Sequence, residues 1–322
     1  MNATTYTARA HTNIALIKYW GKKDEELILP MNNSLSLTLD RFYTETSVTF
    51  DEQLKDDLFL LDGSRENGDK VSKFLDIVRK KAKINIKAKV ISQNHVPSTA
   101  GLASSASAYA ALALAASKAA GLNLDKKELS RLARRGSGSA CRSIYGGLVE
   151  WQEGTDDQTS FAYPIEMPNN FEITMVALVI NADYKKISSR DGMKRVVETS
   201  PYYPAWVQTA AKDLKNIKQA IVKRDFETFG EIAEENAMKM HALNMSAHPH
   251  FSYLEPNSIK AMQIVEKLRL EGVSCYYTLD AGPNVKVICL KKDVKVIADT
   301  LSDSFGQEKV LVAGPGPAAH LI

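Results

Sequence analysis

The sequence predicts an α+β protein built as two lobes. Its 322 residues are enough for about two domains. Apolar patterns typical of strands and patterns typical of helices both occur along the chain. The composition also changes after about Asn181, from segments rich in small residues and glycine to segments rich in helical patterns. We therefore predict an N-terminal lobe over residues 1–181 and a C-terminal lobe over residues 182–322.

The N-terminal part shows both strand and helix patterns. Strands are predicted at residues 8–17, 35–39 and 84–90, and helices at 71–81, at 106–120 and from 126 through 134. The helix over 106–120 is almost entirely small and apolar, so we expect it to be buried on most sides, with Gly121 ending it. Asp125 and Glu128 have the spacing of a capping box for the next helix.

The C-terminal part is richer in helices. A continuous apolar run predicts a central strand at residues 173–180. Helices are predicted at 205–223, 226–243 and 257–271, and strands at 273–279, 285–290 and 309–313. Gly272 is the expected C-cap of the third helix, and a turn over 280–284 separates the first two of these strands.

Composition and charge exclude several classes of protein. The net charge is +3 and the lysines are scattered, so we expect neither nucleic acid nor a membrane surface as a partner. No apolar run reaches membrane-spanning length, and the first twelve residues do not have the pattern of a secretory signal. The three cysteines are widely spaced and form no metal-ligand pattern. Reduced thiols in a cytoplasmic protein are the expected state.

The segment over residues 97–107, Pro-Ser-Thr-Ala-Gly-Leu-Ala-Ser-Ser-Ala-Ser, leads directly into the alanine-rich helix. Unpaired N–H groups and a partial positive charge at a helix N-terminus favour phosphate, and small residues let phosphate oxygens approach the backbone. The segment lacks the Gly-x4-Gly-Lys-Ser/Thr pattern of a P-loop. Two interpretations remain open: a cradle for a nucleotide triphosphate, or a serine-capped buried helix.

Five spaced segments carry a resemblance that covers nearly the whole chain. Residues 15–22 (Ala-Leu-Ile-Lys-Tyr-Trp-Gly-Lys), 97–107 and 278–284 (Thr-Leu-Asp-Ala-Gly-Pro-Asn) resemble the three signature motifs of the GHMP small-molecule kinases. Residues 13–22, together with 135–143 and 187–193, are similar to a narrower family, the mevalonate diphosphate decarboxylases, in their bacterial form.

This resemblance implies the two-lobed GHMP-kinase fold with the active site in the cleft between the lobes. It implies that ATP, with Mg2+, and mevalonate 5-diphosphate are converted to isopentenyl diphosphate, ADP, phosphate and CO2, and we expect a cytoplasmic homodimer. A kinase of the same superfamily that phosphorylates a mevalonate-type alcohol is one alternative. A homologue that only binds a metabolite is another.

The resemblance also implies roles for individual residues. Asp280 matches the catalytic aspartate, which orients the C3 hydroxyl and accepts its proton. Arg142 matches the arginine near the C1 carboxylate, and Lys18 lies near the reacting centre. The predicted substrate-binding residues are Tyr19, Trp20, Gly21, Lys22, Lys70, Ser137, Gly138, Ser139, Ala140, Cys141, Arg142, Ser189 and Arg190. For Trp20, packing is the favoured alternative.

Nucleotide binding is predicted for a second set. Its members are Asn94, Ser98, Gly101, Leu102, Ala103, Ser104, Ser105, Ser107 and Lys186. Ser105 is also the candidate contact for the Mg2+ that accompanies ATP. Because the family loop often begins Pro-Thr-Ala-Ala-Gly, the loop here leaves open which of Ser98 and Thr99 contacts a phosphate.

Overall fold

The computed structural model of the chain describes residues 4–95, 104–181 and 187–322. The elements of the N-terminal part are β1 (Tyr6–Ile17), β2 (Lys22–Asp24), β3 (Leu29–Pro30), β4 (Ser34–Phe50), β5 (Leu58–Leu61), β6 (Ser64–Arg65), α1 (Asp69–Ala82), β7 (Ala88–His95), α2 (Ser104–Ala119), α3 (Lys126–Gly136), β8 (Leu148–Trp151) and β9 (Ala162–Ile165). A 3-10 helix, Gly138–Ile144, follows α3 directly.

The C-terminal part supplies the second sheet and most of the long helices. Its elements are β10 (Ile173–Leu178), α4 (Ser189–Thr199), α5 (Tyr203–Lys223), α6 (Phe226–Ser246), α7 (Pro256–Leu270), β11 (Cys275–Leu279), β12 (Val285–Leu290), α8 (Val294–Phe305), β13 (Val310–Ala313) and β14 (His320–Leu321). Single 3-10 turns lie at Lys291–Asp293 and Gln307–Lys309.

The N-terminal lobe is a large sheet with helices α1, α2 and α3. Its strands follow the order β14-β1-β4-β7-β5-β6, with β8 beside β4 and β9 beside β8. Helix α2 lies against β1 and β4, and its alanines at 110, 111, 113, 115 and 116 are fully buried. Small side chains let the helix approach the sheet closely, which holds the N-terminus of α2 in a fixed place. The prediction of a helix buried on most sides is confirmed.

The C-terminal lobe is an antiparallel sheet with helices α4 to α8. The strand order is β11-β12-β10-β13, so β10 is an inner strand, as its continuous apolar run predicts. Helix α6 contacts both α5 and β11. It also contacts β1 of the large sheet, and thereby brings the end of β1 close to the end of β11.

The end of the chain returns to the large sheet. Gly316 donates its N–H to the carbonyl of Thr38 at 2.7 Å, and β14 pairs with β1. The lobe boundary at residue 181 stays a prediction. None of the helices in the three described ranges combines the length and the hydropathy needed to span a bilayer.

Most predicted elements are confirmed, although the bounds of several strands differ from the prediction. The capping box of Asp125 and Glu128 is present, and Gly121 and Gly272 adopt positive φ angles of 74° and 91° after their helices. The strand predicted at residues 84–90 is wrong in its start, because α1 ends with Lys83 in the left-handed conformation. The N–H of Ile84 then bonds the carbonyl of Arg79, so β7 begins only at Ala88.

Candidate active site

A cavity of about 300 Å³ lies between the two lobes. It is lined by residues from the end of β1, from the segment joining α3 to β8, and from α4, α6 and the turn after β11. The predicted site residues that line it are Lys18, Tyr19, Trp20, Lys22, Lys70, Ser105, Ser137, Gly138, Ser139, Arg142, Ser189, Arg190 and Asp280. The structure therefore brings together side chains that lie more than 200 residues apart in the sequence.

Asp280 begins the turn that follows β11, and its carboxylate contacts two lysines. Lys18 donates from Nζ to Oδ1 at 2.9 Å, and Nζ of Lys286 lies 3.5 Å from Oδ2. Both lysines are only 2% exposed, whereas 30% of the Asp280 side chain is exposed. The carboxylate is thus held from the protein side while part of it faces the cavity.

Lys18 is placed by hydrogen bonds of its backbone as well as its side chain. Its N–H donates to Oδ1 of Asn236 at 2.8 Å, and its carbonyl accepts from Asn32 at 2.9 Å. Its ammonium also donates to the carbonyl of Ala15 at 2.8 Å. Burial lowers the pKa of Lys18, and the Asp280 carboxylate opposes that change. The lysine is therefore a fixed cation whose charge depends on its carboxylate partner.

Arg142 lies in the 3-10 helix and is 2% exposed. Its Nε donates to Oδ1 of Asn13 at 3.2 Å, and its Nη1 donates to the hydroxyl of Ser34. Asn13 is itself held by Ser143, whose hydroxyl accepts at 2.8 Å. Burial lowers the pKa of Arg142, and neighbouring groups, among them the Asp280 carboxylate, oppose that change. A guanidinium held by neutral partners at the cavity wall can bind a carboxylate.

Tyr19 and Gly138 pack closely at the next part of the cavity. A Cβ atom at Gly138 would lie 2.8 Å from the Tyr19 ring and 2.9 Å from Trp151, so only glycine fits. The Tyr19 hydroxyl is buried and has no hydrogen-bond partner among the described residues. Burial raises the pKa of Tyr19, so this hydroxyl stays a neutral donor. An unsatisfied donor at the cavity wall indicates a ligand oxygen as its partner.

Trp20 and Gly21 have mainly structural contacts. The indole N–H of Trp20 donates to Oδ1 of Asn244 at 3.1 Å, and the backbone carbonyl of Trp20 accepts from the Tyr203 hydroxyl at 2.7 Å. Gly21 has a φ of 123°, and a Cβ there would overlap the Tyr203 hydroxyl. Trp20 still lines the cavity, whereas Gly21 shapes the bend before β2.

Hydroxyls and cations line part of the cavity wall. Ser137 precedes the 3-10 helix and Ser139 lies inside it, and α4 begins with Ser189 and Arg190. Ser188 caps α4 by accepting the N–H of Asp191, so the free N–H groups of the first turn adjoin these side chains. Lys22 supplies a further ammonium. Such a set suits phosphate groups.

A second cavity of about 240 Å³ adjoins the first beside the start of α2. It is lined by Asn94 and Ser104, by Lys70, Ser105 and Tyr109, which also line the first cavity, and by apolar residues of β5, β7 and α2. Ser98, Gly101, Leu102, Ala103 and Lys186, which were predicted to bind nucleotide, lie outside the described residues, as does Thr99. An apolar cavity with a few polar groups, at a helix N-terminus, suits a nucleotide.

Three predicted residues do not present their side chains to either cavity. Ser107 is fully buried, where its hydroxyl pairs with Thr44 at 2.7 Å and donates to the carbonyl of Ser104. Ala140 and Cys141 are fully buried in the core of the N-terminal lobe, and burial raises the pKa of the Cys141 thiol to about 12. The binding roles of these three residues stay predictions, and only their backbone groups could fulfil them.

The sequence did not predict Lys286, Asn13 or His241 as parts of this site. Lys286 follows Val285 in an alternating strand, a position that normally faces solvent. Asn13 had a detectable signal, because it begins one of the matching segments. His241 on α6 is 1% exposed, and burial, followed by the charge of Lys18, lowers its pKa to about 4. A neutral imidazole therefore lies behind the Lys18 and Asp280 pair.

Comparisons with known proteins agree with this geometry. The family model of the diphosphomevalonate decarboxylase-like N-terminal domain matches residues 10–162, and that of the mevalonate 5-diphosphate decarboxylase C-terminal domain matches residues 175–313. The diphosphomevalonate decarboxylase of Bos taurus is 35% identical over 326 residues, covering 94% of this chain and 81% of the bovine protein.

Solved structures of this family are also similar to the fold described above. One describes the mevalonate diphosphate mediated ATP binding mechanism of the mevalonate diphosphate decarboxylase from Enterococcus faecalis; it is 52% identical, has a TM-score of 0.95, and 99% of each chain is covered. Another, described as MDDEF in complex with MVAPP, AMPPCP and magnesium, is 52% identical with a TM-score of 0.96 and covers 99% of each chain. The predicted GHMP-kinase fold and the resemblance are confirmed, and the chain belongs to the diphosphomevalonate decarboxylase family.

Proposed function

We propose that this protein is an ATP-dependent decarboxylase that converts mevalonate 5-diphosphate to isopentenyl diphosphate, with release of ADP, phosphate and CO2. The observation that carries the proposal is the meeting of the Asp280 carboxylate and the Arg142 guanidinium in one cavity, beside a cluster of phosphate-binding groups. A substrate that is an alcohol, a carboxylate and a diphosphate matches all three features. Its place is the mevalonate route to isoprenoids, as in the related enzymes.

The chemistry needs three changes at neighbouring carbons. The tertiary C3 hydroxyl attacks the γ-phosphorus of ATP, because hydroxide itself is a poor leaving group. The C3–O bond then breaks, phosphate departs, and positive charge develops at C3. The electrons of the C1–C2 bond finally form the C2–C3 double bond as CO2 leaves.

Asp280 orients the C3 hydroxyl and accepts its proton in this scheme. Phosphoryl transfer has a loose transition state, so orientation of the attacking oxygen contributes more than early removal of its proton. Lys18 holds Oδ1 of the carboxylate at 2.9 Å, which limits its rotation. The negative charge of Asp280 also favours the cationic C3 that follows.

Arg142 binds the C1 carboxylate through its planar guanidinium. The contacts from Nε to Asn13 and from Nη1 to Ser34 fix the plane of that group. A carboxylate held by two parallel hydrogen bonds cannot rotate about the C1–C2 bond, so this bond stays aligned with the developing cation at C3.

The diphosphate of the substrate binds where hydroxyls and cations gather. Ser137, Ser139, Tyr19 and Lys22 supply donors from the N-terminal lobe, and the α4 terminus with Ser189 and Arg190 supplies them from the C-terminal lobe. Binding of the diphosphate therefore ties the two lobes together. Lys70, which lines both cavities, lies between this group and the nucleotide side.

ATP binds beside the start of α2, with Asn94, Ser104 and Ser105 on the nucleotide side. The described residues contain no group of three or more His, Cys, Asp or Glu side chains that suits a metal ion. The hydroxyl oxygen of Ser105 is nevertheless a hard ligand of the kind that Mg2+ takes together with phosphates and water. Mg2+ brought by ATP would neutralise phosphate charge during transfer. A cytoplasmic homodimer stays part of this proposal.

Two alternatives make different products from the same cavity. A GHMP kinase would phosphorylate a mevalonate-type alcohol without loss of CO2, and a binding-only homologue would form no ADP. The test is ADP release with mevalonate, its 5-phosphate and its 5-diphosphate. We expect substantial turnover only with the diphosphate. Equal turnover with mevalonate itself would contradict the assignment of the diphosphate site.

A further inference from the structure

The strongest unexplained feature of the site is a second buried lysine on Asp280. Lys286 is 2% exposed and lies on β12 between Val285 and Val287, both of which are fully buried. Its Nζ lies 3.5 Å from Oδ2 of Asp280 and donates to the carbonyl of Asn284 at 3.1 Å. Burial of a cation inside a sheet costs free energy unless an anion or good acceptors compensate.

Lys286 differs from Lys18 in its relation to the cavity. Lys18 lines the cavity, so it is placed to meet substrate as well as Asp280. Lys286 is not among the lining residues, so its charge acts on the carboxylate from behind. The two ammonium groups contact different oxygens of the same carboxylate, Oδ1 and Oδ2 respectively. Contacts at both oxygens restrict rotation of the carboxylate more than the Lys18 contact does alone.

The turn itself is anchored at its far end. Oδ1 of Asn284 accepts the N–H of Ile180 at 2.7 Å and that of Asn181 at 3.0 Å, beyond the end of β10. Lys286 therefore links the carboxylate at the first residue of the turn to a carbonyl at its last residue. The position of Asp280 depends on β12 and β10 together, through the side chains of Lys286 and Asn284.

We propose that Lys286 is a positioning residue, which holds Oδ2 of Asp280 so that the carboxylate faces the C3 hydroxyl. This inference rests on the proposed function. It does not make Lys286 a substrate ligand, because the side chain acts through Asp280. Loss of Lys286 should consequently impair turnover while leaving the binding of mevalonate diphosphate almost intact.

The test compares Lys286→Met and Lys286→Gln with wild type. Methionine keeps the length and the apolar stem, and glutamine keeps a donor without the charge. Lys218→Met is the control. Nζ of Lys218 lies 2.7 Å from the buried carboxylate of Glu150, and neither residue lines either cavity. Thermal unfolding establishes that each variant is folded.

We expect kcat to fall about 10- to 100-fold in both Lys286 variants, as misplacement of a reacting group would cause. The KM and the calorimetric Kd for mevalonate diphosphate should stay within about twofold of wild type, because no substrate contact is lost. Lys218→Met should keep its kcat. A folded Lys286→Met variant with wild-type kcat would overturn the inference.

A double-mutant cycle distinguishes positioning from general loss of structure. In the Asp280→Asn background, single-turnover ADP formation should change less than about twofold on Lys286→Met, since the carboxylate through which Lys286 acts is gone. An equal loss in both backgrounds would contradict action through Asp280. A wild-type protein that formed neither ADP nor CO2 would contradict the proposed function as well. An active wild type whose kcat did not change on substitution of Lys286 would contradict this inference alone.

Discussion

Replacement of Arg142 by lysine tests the part of the site that concerns decarboxylation. Arg142 is buried and bonded to Asn13 and Ser34, so its guanidinium plane is fixed at the cavity wall. Lysine keeps the positive charge but makes one hydrogen bond where the guanidinium makes two. Loss of one hydrogen bond to a charged group costs about 1.5 to 3 kcal/mol. We therefore expect kcat/KM to fall about 10- to 150-fold.

The assay pairs turnover with the affinity for a neutral analogue. ADP release measures kcat/KM, and calorimetry measures the binding of mevalonate diphosphate and of an analogue whose C1 carboxylate is an amide. Wild type and Arg142→Lys should bind the neutral analogue almost equally. Arg131→Lys is the control, because Arg131 pairs with Asp157 at 2.6 Å and lines neither cavity.

An equal loss of affinity for the natural substrate and for the neutral analogue would refute the role given to Arg142. The arginine would then act on the diphosphate or only on the structure of the 3-10 helix. The carboxylate would need another partner, and Arg190 and Lys18 are the first candidates among the other cations that line the cavity.

Three further predictions concern the other parts of the site. Asp280→Asn keeps the shape of the side chain but removes its charge and basicity. Single-turnover ADP formation should therefore slow by about 10²- to 10⁴-fold, with nearly unchanged affinity for mevalonate diphosphate. Near-normal turnover would exclude the role of Asp280 at the C3 hydroxyl. Ser105→Ala should raise the KM for ATP more than that for mevalonate diphosphate, and Lys22→Ala should do the reverse; identical defects toward both ligands would contradict the division of the cavity. Burial lowers the pKa of His241 to about 4, whereas an unfolded histidine has a pKa of about 6.5. Between those values the unfolded chain binds the extra proton, so stability falls as the pH is lowered from about 6.5 to 4, by up to about 1.4 kcal/mol per pH unit. The free energy of unfolding, measured with urea at each pH, should change less with pH in His241→Leu than in wild type. An equal pH dependence in both proteins would mean that this imidazole is not the group that titrates.

Local pattern was sufficient for most of the secondary structure. Composition and spacing alone predict the helix over residues 203–223 and the buried alanine helix. In the first, apolar residues recur at helical spacing, and in the second nearly all residues are small and apolar. Strand β4 is longer than the predicted segment, since the buried side of its second half carries threonines at 44 and 46, which interrupt the apolar alternation. Such threonines satisfy their hydroxyls across the sheet, as Thr46 does with Ser92 at 2.8 Å.

The site was only partly predictable, for a different reason. The matching segments identified Asp280, Arg142 and Lys18, because each belongs to a motif with a known role in the family. Lys286 and His241 carry no such signal, since their chemistry arises only when β12 and α6 pack beside the turn after β11. A lysine in an alternating strand usually faces water, and its burial here depends on a carboxylate that lies six residues earlier.

The most direct test of the proposed decarboxylation measures two products in one reaction. Purified protein is incubated with MgATP and mevalonate 5-diphosphate labelled at C1, and ADP and labelled CO2 are counted over the same interval. We expect one CO2 for each ADP, with neither product formed when the substrate or ATP is omitted. ADP formed without CO2 would contradict the decarboxylation that Arg142 and Asp280 are proposed to carry out, and would identify a kinase instead.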